Sequence, residues 1–428
     1  MGNSGNRSPA AGGNNQMADL LGAGDMDMRV GEDTNVHIQE FSVPFRYHVC
    51  FTDGVFRPDN CTFMRELTRL EPSKRHRHAV FIDEGVASAM PGLCQQIADY
   101  ADAYPTVLQL VAAPEIIAGG EDIKNDPALV ERLQRRMVDL GMDRHSYVVG
   151  IGGGAFLDMI GYVAATTHRG LRLVRIPTTV LAQNDSGVGV KTGVNAHGSK
   201  NLLGVFAPPF SVINDSDFLE TLNERDRRAG MAEAVKVALI RDGSFFAALE
   251  ANADQLAAFE RGAVAHLIRR CAELHMRQIA FGGDPFEMGS ARPLDFGHWS
   301  AHKLESLTSH EVRHGEAVAI GIALDTRYSV RKGLLAEGND ERVCRLLERL
   351  GFRLWHPALD DRIADGRRAV LAGLEEFREH LGGQLTITLL TGIGTGHEVN
   401  EMDTGLIEEC LGWLKEREAV SPEPALAS

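Results

Sequence analysis

Along the first half of the chain, short apolar runs alternate with helix-length amphipathic stretches. HAVFID (78–83), TVLQLVA (106–112), SYVVGIGG (146–153), LRLVRIP (171–177) and FSVIND (210–215) each read as a strand. Such β-rich runs, separated by segments long enough for a helix, predict a parallel sheet with crossover helices. After Ser216 the alternation stops. Val264, Leu267, Ile268, Cys271 and Leu274 recur at the spacing of one helix face, and further Leu/Ala/Glu/Arg-rich segments follow. The pattern predicts an α/β N-terminal domain over 37–218, a mainly α-helical C-terminal domain over 219–420, and a cleft between them. The Gly/Asn-rich leader 1–36 and the tail 421–428 read as unstructured, and the leader lacks the apolar stretch of a signal peptide. Asn6 stands where a myristoylation pattern wants Ser or Thr.

Composition narrows the class. The chain has 428 residues, 44% hydrophobic and 24% charged, and no apolar run approaches the ~18 residues of a membrane helix, so no membrane partner is expected. The formal charge of −15 gives no electrostatic reason to hold nucleic acid. A local cluster of Lys, Arg and His can still bind a phosphorylated small molecule. Six scattered cysteines with no Cys-x-x-Cys pair fit a reduced cytoplasm better than a disulfide framework or a thiolate zinc site.

Three stretches carry candidate chemistry. Gly150-Ile151-Gly152-Gly153-Gly154-Ala155 follows a strand and precedes the helical run FLDMIGYVAA. Glycines there let a pyrophosphate approach the backbone and face a helix N-terminus, with Asp158 placed to cap or tune the site; a ligand-free tight turn is the bland alternative. The segment 176–204 sets Thr178, Thr179, Asp185, Ser186, Lys191, Lys200 and Asn201 between glycines, and is oddly long for a solvated loop. Lysine and asparagine there supply charge and donors for phosphate or hydroxyl groups.

In the helical half, Glu233 and Lys236 stand at i,i+3, which by itself reads as a surface salt bridge. His298 and His302 are four apart, as are His310 and His314, so four of sixteen histidines fall within seventeen residues. Imidazoles at this spacing, completed by a carboxylate such as Glu233, suit Zn²⁺ or Co²⁺ with a position left open for substrate oxygens. A dinucleotide turn, an anion pocket and a metal site together point to redox chemistry on a hydroxylated phosphate ester.

From about Asp83 to Gly394 the chain resembles the sugar phosphate cyclase superfamily, whose best-known member is 3-dehydroquinate synthase. The blocks GGGAFLDMIGYVAATTHRG, RIPTTVLAQNDSGVGVKTGVN, KNLLGVFAPP, DFLETLNERDRRAGMAEAVK, LDFGHWSAHKLE and HGEAVAIG carry the likeness. It implies a Rossmann-like NAD-binding domain followed by a helical metal- and substrate-binding domain. It implies Glu233, His298 and His314 as metal ligands. Around NAD⁺ it implies Asp83, Glu121, Lys124, Gly153, Gly154, Asp158, Thr178, Thr179, Asp185, Lys200, Thr221 and Leu222. For the substrate phosphate it implies Lys191, Asn201 and His302, with Lys236 and Arg292 as further substrate contacts. Arg169 matches an arginine that reaches a neighbouring subunit's site, which implies a homodimer. Such enzymes oxidise a ring hydroxyl with NAD⁺, eliminate phosphate, return the hydride and close a carbocycle by an intramolecular aldol step.

The departures bear on the substrate. Members acting on a carboxylated heptulosonate phosphate carry Asn where this chain has Asp295, and an anion there repels a carboxylate unless Arg292 or the metal neutralises it. A lysine of that pocket aligns with either His275 or Arg277. An Asp-Lys-Lys motif is replaced around Phe377-Arg378-Glu379-His380. Asp at the Asn position is similar to 2-epi-5-epi-valiolone synthase-like cyclases that use sedoheptulose 7-phosphate, whereas the retained Arg292 pulls toward a carboxylate. A glycerol dehydrogenase-like polyol oxidoreductase is a further alternative, although a polyol offers no anion to the Lys191, Asn201, Arg169 and His302 set. A non-catalytic protein that keeps the fold is the remaining reading.

Overall fold

The computed structural model describes residues 39–420 apart from 198, 284, 287–292 and 381–382. The expectations for the 1–36 leader, the 421–428 tail and Arg292 lie outside the described residues. The chain divides into two units, Met1–Phe45 and Arg46–Ser428, and the described part of the first, 39–45, has neither helix nor strand. All that follows concerns the second unit.

Strands β1 (His48–Thr52), β2 (His76–Asp83), β3 (Leu108–Leu110), β4 (Glu115–Ile117), β5 (Tyr147–Gly152) and β6 (Arg172–Pro177) enter one sheet in chain order. β7 (Lys191–Ala196) and β8 (Ser199–Phe206) then form a separate antiparallel hairpin, and β9 (Ser211–Asp215) returns to the sheet. Every pairing in the sheet is parallel, in the order β1-β9-β6-β5-β2-β3, with β4 alongside the far end of β2. All five predicted runs lie on these strands. TVLQLVA shrinks to the three residues of β3, and β1 and β4 were not anticipated, being short and mixed in polarity.

Period-two alternation explains why the sheet is buried on both faces. Ala79, Phe81 and Val148 enter one core with the helix Gly154–Thr166, while Val80, Ile82, Tyr147, Val149 and Ile151 enter the other. From β2 the chain runs outward to β3 and β4, then crosses to the other side as β5. The C-terminal ends of β2 and β5, at Asp83 and Gly152, therefore flank the point where strand order reverses, the usual ligand crevice of an open α/β sheet.

Past β9 the chain is mainly helical, as predicted. The helices Glu224–Arg241, Arg261–Phe281, His298–Leu307 and His314–Arg331 pack around a third core, joined by an unanticipated hairpin of β10 (Ile387–Gly392) and β11 (Thr395–Val399). Among the described residues, no helix is long and apolar enough to cross a membrane.

Candidate active site

The glycine turn forms as the sequence predicts. β5 ends at Gly152, Gly153 precedes the helix in extended conformation, and Gly154 opens Gly154–Thr166. A Cβ on Gly154 would stand 2.6 Å from Ser186 Oγ, itself a buried hydroxyl without a partner. Ser186 and Asp185 belong to a π-helical turn, Ala182–Ser186, of the kind that often marks functional positions. Thr178 N donates to Gly152 O, and Thr179 Oγ1 accepts from Ala182 N, so the turns after β5 and β6 are stitched together. Asp83 closes the other side at the end of β2 and caps the helix Glu84–Ala89 through Gly85 N at 2.8 Å. Thr221 and Leu222 end a turn that touches that same helix.

Segment 176–204 is thus an ordered π turn followed by a hairpin, not an irregular loop. Its residues meet the 3₁₀ turn Glu121–Asn125. Buried Lys124 pairs with Asp158 at 2.9 Å and bonds Asn201, whose backbone sits at φ 55°. Lys200 Nζ lies 3.7 Å from Glu121 and 3.6 Å from Glu305, linking the hairpin to the histidine helix. Lys191 opens β7 with an exposed side chain. Arg169 stands apart from this group, exposed in the left-handed turn after Gly154–Thr166.

The Glu233 and Lys236 pair is not a surface salt bridge. Glu233 is 0% and Lys236 3% exposed, and their charged atoms are in contact in the middle of Glu224–Arg241. Glu233 Oε1 faces His314 Nε2 at 3.3 Å and His298 Nε2 at 3.6 Å. One ligand atom from each of the three lies within 4.8 Å of the others. His298 and His302 share a helix, but His310 is an exposed turn residue outside the next helix, which starts at His314. His302 stacks 5.9 Å from the His314 ring at the edge of the cluster.

The partners of the rings fix which nitrogen faces inward. His298 Nδ1 lies 3.1 Å from the Phe296 carbonyl and His314 Nδ1 lies 3.1 Å from Glu305 Oε2, leaving both Nε2 atoms toward Glu233. Burial, reinforced by the Lys236 cation, holds His298 neutral, well below its ordinary value. Burial alone would lower His314, but Glu233 and Glu305 outweigh it and raise the imidazole to about 10. Burial likewise opposes ionisation of Glu233, which Lys236 and His314 nonetheless hold at about 2.

The residues fit a metal and a dinucleotide. Neither oxygen of Glu233 receives a well-formed hydrogen bond although both are buried, and the Nε2 atoms of two imidazoles converge on Oε1. Imidazole and carboxylate donors without thiolate suit a borderline divalent ion. The Gly154 cradle, which a Cβ would fill, suits a phosphate at a helix N-terminus. Asp185 joins the two halves: it pairs with His275 at 2.9 Å and feels the charges of Glu233 and Lys236.

Profile models of the 3-dehydroquinate synthase N-terminal and C-terminal regions match residues 115–229 and 230–366. A 3-dehydroquinate synthase of Halorhodospira halophila is 39% identical over 286 residues, spanning 66% of this chain and 78% of its own. The chain belongs to the 3-dehydroquinate synthase family. Within that family likeness, a 2-epi-5-epi-valiolone synthase of Streptomyces albus is 33% identical over 375 residues, 85% of this chain and 87% of its own. A 2-epi-5-epi-valiolone synthase of Streptomyces hygroscopicus, solved with NAD⁺ and Zn²⁺, superposes with a TM-score of 0.76 at 29% identity, covering 88% of this chain and 99% of that one.

Four site residues escaped the sequence reading or were left open by it. His275 faces Asp185, whereas Arg277 lines a separate surface cleft with Arg241 and Phe281. Glu305 orients His314. Arg175 is fully buried and donates to the carbonyls of Gly187, Gly189 and Lys191, shaping the approach to β7. Asp325, also fully buried, accepts from Gly297 N and Trp299 Nε1 and so braces the start of the His298 helix. The signal for Arg175 was a cation in the middle of an apolar strand; Glu305 and Asp325 gave none beyond an acidic residue in a helix.

Proposed function

We propose that this chain is an NAD⁺- and divalent-metal-dependent sugar phosphate cyclase of the 3-dehydroquinate synthase type, converting a heptulosonate or heptulose phosphate to a carbocycle with loss of phosphate. The observation that carries the reading is the meeting, through Asp185, of the glycine cradle with the buried Glu233, His298 and His314 cluster. When bound, NAD⁺ supplies a reversible hydride acceptor, and Zn²⁺ or Co²⁺ polarises the hydroxyl and ketone oxygens. Glu233, His298 and His314 would hold the ion, with Glu305 and the Phe296 carbonyl orienting the two rings. Asp83, Glu121, Lys124, Gly153, Gly154, Asp158, Thr178, Thr179, Asp185, Lys200, Thr221 and Leu222 would surround the dinucleotide. Lys191, Asn201 and His302 would hold the substrate phosphate, and Lys236 and Arg292 other substrate oxygens. Positive charge fixed in a cleft of an acidic protein stabilises the enolate that elimination requires.

Exposed Arg169 supports a homodimer in which it reaches the neighbouring copy's site, and the chemical division of the chain falls near 218/219. The polyol oxidoreductase reading is weaker, because a polyol offers no anion to Lys191, Asn201, Arg169 and His302. Among cyclase substrates, Asp295 favours sedoheptulose 7-phosphate, because an anionic side chain there would repel a substrate carboxylate.

The test is phosphate release from the heptulosonate phosphate and from sedoheptulose 7-phosphate, with Zn²⁺ or Co²⁺ and NAD⁺. The proposal expects release from one of them without net NADH formation. Release from neither, or steady NADH accumulation on a polyol, refutes it.

A further inference from the structure

A cavity of about 480 Å³ opens between the ends of β1 and β9 and the helix Arg261–Phe281, within the ~300–1,000 Å³ range of small-molecule sites. None of the residues assigned above to NAD⁺, metal or substrate lines it. Phe51, Leu219, Phe259, Val264 and Ile268 form its apolar wall, and three arginines, Arg227, Arg261 and Arg269, stand among the polar residues that complete it. The Arg269 guanidinium lies 4.6 Å from the Phe51 ring centre and that of Arg227 4.7 Å from the Phe259 ring centre. Among the described residues no carboxylate pairs with either arginine. The acidic residues of the cavity are already engaged: Arg261 ties Asp53 at 2.8 Å and Glu220 at 3.0 Å. Three arginines and two carboxylates, Asp53 and Glu220, therefore line the cavity, leaving it a net positive charge in a chain whose formal charge is −15, and Arg227 also donates to the Glu220 carbonyl at 3.0 Å.

Backbone conformation marks the same wall. Phe259 is held at φ 57°, a left-handed conformation that a bulky residue rarely adopts and that recurs at ligand clamps. That conformation places the ring against Arg227.

We propose that this cavity is a second ligand site, separate from the cyclisation site, for a small carboxylate with a planar apolar body, such as an aromatic acid. Guanidinium forks match a carboxylate, and arginine-on-phenyl stacks extend over a flat ring. A compact phosphate would leave the apolar walls uncovered. The site is also wired to the catalytic one. The helix Arg261–Phe281 brings Val264, Ile268 and Arg269 to the cavity and His275 to Asp185. The π turn brings Gln183 to the cavity, where its amide bonds Pro177 O and Asp215 O, and Asp185 to the active site.

The proposal is independent of the cyclase reading. It is tested on the full chain by calorimetry and saturation-transfer NMR with benzoate, benzamide and inorganic phosphate, each with and without saturating NAD⁺. Benzoate is expected to bind in the presence of NAD⁺ and of inorganic phosphate, with benzamide at least tenfold weaker. Arg269→Gln, at an exposed position, is expected to weaken benzoate at least tenfold, and Ala265→Phe to block the cavity without altering charge, both retaining NAD⁺ binding. Displacement of benzoate by NAD⁺ or phosphate overturns the proposal, as does equal binding of benzamide. So does parental benzoate affinity in both variants, or loss of NAD⁺ and benzoate together in both.

Discussion

Lys236→Met isolates the electrostatics of the buried cluster, since methionine keeps most of the side chain's length and none of its charge. Glu233 is 0% exposed, and its carboxyl is held at about 2 from an ordinary 4.5, with Lys236 the foremost influence opposing the cost of burial. That displacement corresponds to about 3 kcal/mol favouring the charged form. Removing one member of a buried pair costs about 3–5 kcal/mol, and the low end applies here because His314 still faces Glu233 Oε1 at 3.3 Å. At roughly 2.1 cal/mol/K per residue, 428 residues unfold with about 0.9 kcal/mol/K, so metal-free Lys236→Met is expected to melt about 3–4 °C below the parent. A bound dication would neutralise Glu233 in place of the ammonium, and would itself be repelled by Lys236. The deficit is therefore expected to shrink to less than about 1 °C with saturating Zn²⁺. Calorimetric scans of chelated and zinc-loaded parent and variant give the four melting points. An equal deficit with and without zinc, or none in the metal-free protein, would show that Glu233 does not sit in a shared cation site.

Glu305, held at about 2 chiefly by His314 against burial, stabilises the fold fully above the unfolded value near 4.5 and loses that contribution as pH falls toward 2; Glu305→Gln is expected to flatten the acid limb of unfolding by up to about 3 kcal/mol and to weaken Zn²⁺ about 10–100-fold, and an unchanged limb counts against the assignment. Arg175→Leu strands three carbonyls and is expected to cost about 3 kcal/mol in chemical denaturation. A further Arg175→Lys variant should raise KM for the phosphorylated substrate more than it lowers kcat, because Lys191 shifts while the metal cluster stays; equal changes in both would refute a positioning role. Asp295→Asn is expected to raise the turnover ratio of the heptulosonate phosphate over sedoheptulose 7-phosphate at least tenfold, about 1.4 kcal/mol, and no change in that ratio removes Asp295 as a discriminator.

The parts of the site legible in sequence are those whose physics is local. A strand, a glycine run and an amphipathic helix are contiguous, so the cradle at Gly152–Gly154 could be placed from the spacing of residues within one crossover unit. The histidine cluster was legible as density, but not as geometry. His310 shares the four-residue spacing with His314 yet lies outside its helix, because the chain leaves the His298 helix through Ser309 and His310, both in left-handed conformation. The Glu233 and Lys236 pair shows the converse failure. An i,i+3 pair has the same sequence signature on a surface and in a core, and only the packing of Glu224–Arg241 inside the helical domain makes it a buried, high-energy feature.

What sequence reasoning missed or left open acts through contacts between separate elements. Glu305 matters because it holds the far nitrogen of a ring nine positions away, Asp325 because it reaches back 28 positions to Gly297, and His275 because it crosses to Asp185 on another element. Each contributes through a second residue, so no spacing rule applied to the ligands can find it. The same logic explains why Arg175 was visible without being interpretable. Burying a guanidinium in a parallel sheet is costly unless its donors are used, so an arginine amid LRLVRIP announces a set of carbonyl acceptors somewhere nearby. Which carbonyls those are, namely Gly187, Gly189 and Lys191, follows only once the turn after β6 folds back over the strand end. A single buried cation thereby ties the depth of the sheet to the first residue of the hairpin, so that the position of exposed Lys191 depends on the core.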